Sequence, residues 1–141
     1  MDKIRNFFTG DIYAMETTGI EIEKAEDGFA VCSLTPGAGH ANADGVVQGG
    51  ALYTLADFCF AVAANAGSIT ATGQPNTVTL SANITYLRPA RIGEKLIATA
   101  RRVRSGRTTC YYEVNVAAES DTEKIIAAVT VSGVSPHRST K

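Results

Sequence analysis

Gln48-Gly49-Gly50-Ala51-Leu52-Tyr53-Thr54-Leu55-Ala56-Asp57-Phe58-Cys59-Phe60-Ala61-Val62 is the stretch on which the fold turns. Two glycines open it, apolar residues fill it, and one carboxylate, Asp57, sits two turns in. The pattern predicts a helix whose first turn carries no side-chain bulk over its backbone N–H groups. Those N–H groups have no intrahelical partner, so a helix entrance of this kind can hold an oxyanion or a carbonyl oxygen. The helix is too apolar to lie on a surface, and the rest of the chain must wrap it. Asp57 shares a helix face with Tyr53, Phe60, Ala61 and Ala64, which is not a solvated stripe, and this favours a chemical role over an exposed one. Burial would raise its pKa and a neighbouring donor would lower it.

Before this stretch, Ile4, Phe7, Phe8, Ile12 and Met15 recur at helical spacing and predict one amphipathic helix over residues 1–15, ended at Thr17-Thr18-Gly19. Ile20, Ile22, then Phe29, Val31, Cys32 and Leu34 predict two strands around the turn Glu26-Asp27-Gly28. The segment from Thr35 to Gly45 has no period and carries His40, Asn42 and Asp44 toward the helix entrance. Loops that deliver polar groups to a helix N-terminus are candidate site walls.

After it, Gly67 to Asn76 reads as a connection of small residues, and the remainder as strands over 77–86, 95–103, 108–117 and 124–134. Val78, Leu80, Ala82, Ile84 and Tyr86 alternate with Thr77, Thr79, Ser81, Asn83 and Thr85. The short breaks between strands favour an antiparallel meander. The tail over 135–141 reads as frayed. The expectation is an α+β fold in a single domain spanning 1–141: about six antiparallel strands curled around one long helix. A sheet covers one side of a helix only, so a second copy over the open flank follows as an expectation, with two-fold symmetry the simplest form.

The 141 residues carry a formal charge of -1 and 45 % hydrophobic content, which excludes a disordered tail and a supercharged nucleic-acid binder. Cys32, Cys59 and Cys110 are dispersed, without metal-ligand spacing, and point to a reducing compartment and a cytoplasmic location. No signal peptide is visible, and the longest apolar run, Phe58 to Ala64, is short of a membrane span. Neither a membrane nor a nucleic-acid partner is expected. Charge is uneven: Arg88, Arg91, Lys95, Arg101, Arg102, Arg104 and Arg107 fall within twenty positions with Glu94 the only acid among them. Such a cluster suits a phosphorylated ligand, or else a solvated strand surface.

The order Asn42, Gly45, Gly49-Gly50, Leu55-Ala56-Asp57, then Asn83-Ile84-Thr85-Tyr86-Leu87-Arg88-Pro89-Ala90 and Gly93 resembles the hot-dog thioesterases of the phenylacetic-acid-degradation type. The resemblance covers about Val31 to Val134. It implies a curled sheet around one helix, dimers joined strand edge to strand edge, dimers often paired into tetramers, and metal-independent hydrolysis of acyl-coenzyme A thioesters carrying an aryl or medium-chain acyl group. No cofactor is implied beyond the coenzyme A of the substrate. The sites lie between subunits. Carried onto this chain, the N–H of Gly49 and the amide of Asn42 polarise the carbonyl, and Asp57 of the other subunit is base or nucleophile. Thr79 falls where relatives place a water-orienting hydroxyl. The family pattern reads His-Gly-Gly; this chain has Gln48, which can donate a hydrogen bond but cannot be protonated near neutral pH.

Each candidate has a plainer reading. Gly49 and Gly50 could be spacers, Asn42 a turn former, and Asp44 a loop cap. His40 stays outside the catalytic set because no serine nucleophile motif accompanies it. Arg88, Pro89, Arg104, Ser105, Gly106 and Arg107 are the candidates for the coenzyme A nucleotide and pyrophosphate, since the guanidinium fork pairs with phosphate oxygens. The competing functions are a hot-dog dehydratase, which wants a histidine where Gln48 stands, and a non-catalytic binder of acyl-CoA or another small ligand.

Overall fold

The computed structural model describes residues 1–135. Its elements are α1 (Asp2–Phe8), a π-helical turn (Tyr13–Thr18), β1 (Glu21–Glu26), β2 (Phe29–Leu34), a short 3-10 turn (Ala38–His40), α2 (Gly49–Thr72), β3 (Val78–Tyr86), β4 (Leu96–Ser105), β5 (Thr109–Ala118) and β6 (Asp121–Val134). The six strands form one antiparallel sheet in the order β1-β2-β4-β5-β6-β3. Every strand packs against α2, so the sheet curls around the helix as expected. At 24 residues, α2 is long and apolar enough by composition to cross a bilayer. Here Leu55, Phe60, Val62 and Ile69 are instead buried against the sheet.

Several boundaries differ from the sequence reading, each for a local reason. The N-terminal segment is not one helix over 1–15. It breaks after Phe8, and Asp11 Oδ1 restarts a turn by accepting from the Ala14 N–H at 3.1 Å. Gly19, at φ 90°, then closes that turn. The central helix does not stop before Gly67 but runs on to Thr72, ended by Gly73 at φ 79°. Gly67 lies inside the helix, and its lack of a side chain makes room for Asp27, whose Oδ1 stands 2.8 Å from where a Cβ would be. The expected frayed tail lies outside the described residues from 136 onward; Ser135 itself donates its N–H to Thr108 O at 2.8 Å.

The meander expectation is right for β4, β5 and β6 and wrong for β3, which pairs with β6 at the sheet edge. The reason lies in the segment after Tyr86. Val47 N–H donates to Ala90 O at 2.9 Å and Gly93 N–H to Pro36 O at 2.7 Å, so this segment is a strap bonded to the 35–47 loop and not a hairpin turn. Strict alternation along β3 fails as well. The register slips between Thr79 and Ser81, leaving Leu80 as a bulge. Thr79 therefore joins Ala82, Ile84 and Tyr86 on the helix side, while Val78 and Leu80 are 53 % and 61 % exposed. A bulge re-aims one side chain without breaking the strand, and here it turns a threonine hydroxyl toward α2.

Asn65, only 3 % exposed, holds β3 in place. Its Nδ2 donates to Ala61 O and Thr77 O, each at 2.9 Å, and its Oδ1 accepts from Asn76 N at 2.9 Å and Thr77 N at 2.8 Å. Asn65→Ala leaves several part-buried backbone groups unpaired. Urea denaturation should register a loss of about 2–4 kcal/mol. A change below about 0.5 kcal/mol would mean that water replaces the amide at no cost.

Candidate active site

The helix entrance is built from a folded loop. Asn42 Oδ1 accepts from Asp44 N at 2.9 Å and Val46 N at 3.2 Å, and its own N–H donates to Val46 O at 2.7 Å. Gly45, at φ 81°, completes the turn. Asn42 is thus a turn former, as the plain reading had it, but only through its oxygen. The Nδ2 end remains to donate, and Asn42 lines a groove with Val46, Gly49, Leu52, Tyr86, Arg88 and Pro89. Gln48 is the N-cap, and its Oε1 accepts from Gly50 N at 3.3 Å. That bond spends the second N–H of the helix and leaves the first, on Gly49, for a ligand. Gln48 itself lines a different groove, with Tyr13, Thr18 and His40, so its side chain does not face the Asn42–Gly49 side. His40 is structural: its Nδ1 accepts from Gly37 N at 2.9 Å, which leaves Nε2–H to donate to Thr18 O at 2.7 Å.

Asp57 is half-buried on the face of α2 turned toward the start of β3, and Thr79 Oγ1 donates to its Oδ1 at 2.8 Å. Burial pushes the Asp57 carboxyl above the usual aspartate range; the Thr79 hydrogen bond pulls it back, and the nearby Asp11 charge raises it. Tyr53, one turn earlier, is raised by burial and by the Asp57 charge. The arrangement is a partly desolvated carboxylate with one oxygen tethered and the other available to a water or an acyl carbon.

Within one chain these pieces cannot meet. Asp57 lies eight positions after Gly49, about 12 Å along the helix axis. The sheet register places the basic candidates apart in the same way. Val78 pairs with Val134 and Val134 with Thr109, so Arg104–Arg107 lie at the Thr79 end of β3. Arg88 and Pro89 follow Tyr86 at the other end. Arg107, Ser105 and Gly106 line a cavity of about 360 Å³ beside Arg102, Asp27 and Ser68, whereas Arg104 lies along an outer groove with Leu80 and Tyr111. The rest of the basic run is partly spent on the fold: Arg102 pairs with Asp27 at 3.0 Å, Arg101 stacks on Phe29, and Lys95 reaches Glu23 and Glu119. Among the described residues, no group of three or more His, Cys, Asp or Glu side chains is placed to hold a metal.

The sequence model of the family described as Thioesterase superfamily matches residues 44–125, which contain the helix entrance, Asp57, Thr79 and strands β3 to β5. The chain belongs to the thioesterase superfamily. This thioesterase is 35 % identical to acyl-coenzyme A thioesterase PaaI of Escherichia coli strain K12 over 98 residues, 70 % of this chain and 66 % of that one. It is 32 % identical to acyl-coenzyme A thioesterase 13 of Homo sapiens over 108 residues, 77 % of this chain and 74 % of that one. The solved E. coli PaaI structure superposes with a TM-score of 0.76 at 27 % identity, covering 94 % of this chain and 95 % of that one. A hypothetical thioesterase of Streptococcus pneumoniae TIGR4, solved with coenzyme A, gives a TM-score of 0.69 at 27 % identity over 82 % of this chain and 86 % of that one. The fold is the hot-dog fold of the PaaI type.

Tyr86 is the site residue that the sequence reading left unassigned. Its hydroxyl donates to Gly49 O at 2.8 Å, and a Cβ on residue 49 would stand 3.0–3.2 Å from its ring and hydroxyl. It stood inside the Tyr-Leu-Arg-Pro-Ala motif, but nothing in the motif says which way the ring turns.

Two expectations follow for the thioesterase. Gly49→Ala forces the Tyr86 ring and the first helical turn apart, whereas a Cβ at Gly50 meets nothing within 4 Å. G49A should lower turnover at least about tenfold while G50A stays within about threefold of wild type, read by thiol release. Equal activity in the two would make Gly49 a spacer. Thr79→Ala removes the bond that lowers the Asp57 pKa, so that pKa rises further. If the ionised carboxylate is the active form, the acid limb of the pH–rate profile moves to higher pH, and T79S restores it. An unmoved limb would detach Asp57 from the rate-limiting ionisation.

Proposed function

We propose that this thioesterase hydrolyses acyl-coenzyme A thioesters at sites shared between two copies of the chain. The observation that carries the reading is the tethered, partly desolvated Asp57, on the same helix as the unspent Gly49 N–H but about 12 Å from it. Strand β3 is an edge of the sheet with Val78 and Leu80 exposed. Antiparallel pairing of β3 with its copy brings the Thr79 end of one chain beside the Tyr86 end of the other. That contact sets Asp57, Thr79 and the 104–107 hairpin of one subunit against Asn42, Gly49, Arg88 and Pro89 of its partner. The complex of the S. pneumoniae relative with coenzyme A supports the leaving group.

In this mechanism the thioester carbonyl oxygen accepts from the Gly49 N–H and the Asn42 Nδ2. The Oδ2 of Asp57 takes a proton from water as the water oxygen attacks the carbonyl carbon. The resulting oxyanion is held by donors already in place. Collapse breaks the C–S bond, and the coenzyme A thiolate takes the proton from the Asp57 carboxylic acid. Direct attack by Asp57 would instead give a mixed anhydride that water hydrolyses. Single turnover in ¹⁸O-water separates the two, since only the anhydride route can leave label in the Asp57 carboxylate. A dehydratase reading loses support because His40, the only histidine near the helix entrance among the described residues, has both ring nitrogens committed within the fold.

The test is turnover on a panel of acyl-CoA thioesters together with subunit mixing. Asp57→Asn keeps size and the Thr79 contact but removes basicity, so turnover should fall roughly 10²–10⁴-fold while a non-hydrolysable analogue binds as before. D57N and G49A subunits should be more active when co-assembled than either is alone, because each mixed pair holds one intact site. Wild-type protein that binds the analogue without turnover would make the chain a binder. Absence of rescue on mixing would end the shared-site model.

A further inference from the structure

Helix α2 begins in the way least suited to holding a backbone donor still. Its first two residues are both glycine, the residue that loses most conformational freedom on ordering, and the Gln48 side chain reaches only the second N–H, at 3.3 Å. The Gln48–Gly49 peptide, which carries the Gly49 N–H, is held only on its carbonyl side, by the Ala51 and Leu52 N–H groups at 2.9 and 3.4 Å, and a glycine at 49 leaves the torsions beyond it loose. Tyr86 opposes that from outside the helix. Its hydroxyl bond to Gly49 O fixes the plane of the peptide that follows Gly49, and its ring lies against the open side of the Gly49 Cα. Tyr86 is itself firmly seated. It ends the paired run of β3 opposite Ala127, and the next two N–H groups, of Leu87 and Arg88, both donate to Ile126 O, at 2.8 and 3.3 Å.

A purely structural account explains this poorly. In the single chain the Tyr86 side chain is about half exposed, and a hydrogen bond in that setting contributes little to folding of the subunit. The glycine also carries a penalty that an alanine at the helix start would avoid, and the ring occupies the place of that alanine's Cβ. Glycine and tyrosine together are explained if the precision of one N–H matters more than helix propensity.

We propose that Tyr86 is a positioning residue for the oxyanion donor, locking the glycine entrance of α2 so that the Gly49 N–H is already aimed before substrate arrives. The inference rests on the hydrolytic reading of the site. Tyr86 touches no reacting atom; it acts through Gly49. Preorganised donors contribute most where charge develops in the transition state, so the loss should fall on kcat and spare substrate binding.

The experiment uses Tyr86→Phe, which keeps the ring and removes only the hydroxyl, with Tyr86→Leu as the more severe variant. For Y86F we expect kcat on a good acyl-CoA substrate to fall about tenfold, part of the 10²–10³ expected for losing a donor outright. KM and the melting temperature should stay at wild-type values. Hydrogen exchange read by mass spectrometry should show faster exchange confined to the peptide that covers residues 49–52. Y86L should lower kcat further along the same line. Wild-type kcat and exchange in Y86F would overturn the inference. So would a fall in kcat matched by a fall in melting temperature and by faster exchange throughout α2, which assigns Tyr86 to stability. If wild-type protein hydrolyses no thioester, the functional reading fails by itself; unchanged exchange at 49–52 in Y86F would then reject the lock as well, and local acceleration would retain it as the device that orders the entrance.

Discussion

Leu55, Ala56, Cys59, Phe60, Val62 and Ala63 leave α2 with no accessible surface on the side that faces the sheet. Removing that area from water, at roughly 25 cal/mol per Å², bends six strands around one helix. Much else follows from covering this helix with a single sheet. The sheet closes over one side and leaves a stripe bearing Gly50, Tyr53, Asp57 and Ala61 at the mouth of the curl. A carboxylate placed there is desolvated without being sealed in, so its basicity rises while a substrate can still reach it.

Both ends of the helix's chemistry are set by β3. At its start, the bulge at Leu80 turns the Thr79 hydroxyl onto Asp57; at its end, the Tyr86 ring and hydroxyl rest on Gly49. Asn65, buried in the helix, ties the approach to β3 back to α2. One edge strand thus fixes a carboxylate and a backbone N–H on the same helix about 12 Å apart. The rigid helix keeps that distance within one chain, and in the proposed shared site it is the symmetric contact of a strand at the sheet edge that closes it.

Gln48 and His40 show how a polar residue beside a site is absorbed into the fold. Gln48 caps the helix it precedes, and His40 fastens the 35–47 loop to the N-terminal segment through both ring nitrogens. The basic run is divided similarly. Arg101, Arg102 and Lys95 serve a ring and three carboxylates, and Arg88 and Arg107 lie at opposite ends of the sheet. A count of charges along the chain is not a count of charges at a ligand.

The long apolar helix, its glycine entrance and the carboxylate two turns in are local patterns, and periodicity in the sequence was enough to determine them, together with the strands and the need to wrap the helix. The resemblance carried by Asn42, Gly49-Gly50, Asp57 and Tyr86-Leu87-Arg88-Pro89-Ala90 added the hot-dog fold and the thioester chemistry. Tertiary structure decided what depends on groups distant in sequence. The strap over 87–95 bonds to the 35–47 loop, which moves β3 from the side of β4 to the far side of β6. A register slip against β6 reverses the facing of Thr79, and strict alternation cannot anticipate it. Gly67 inside α2 leaves room for Asp27, and Tyr86 meets Gly49 across thirty-seven positions. Side-chain pattern carries information over a few residues, whereas hydrogen bonds between separated backbone segments are settled only when the whole sheet closes on its helix.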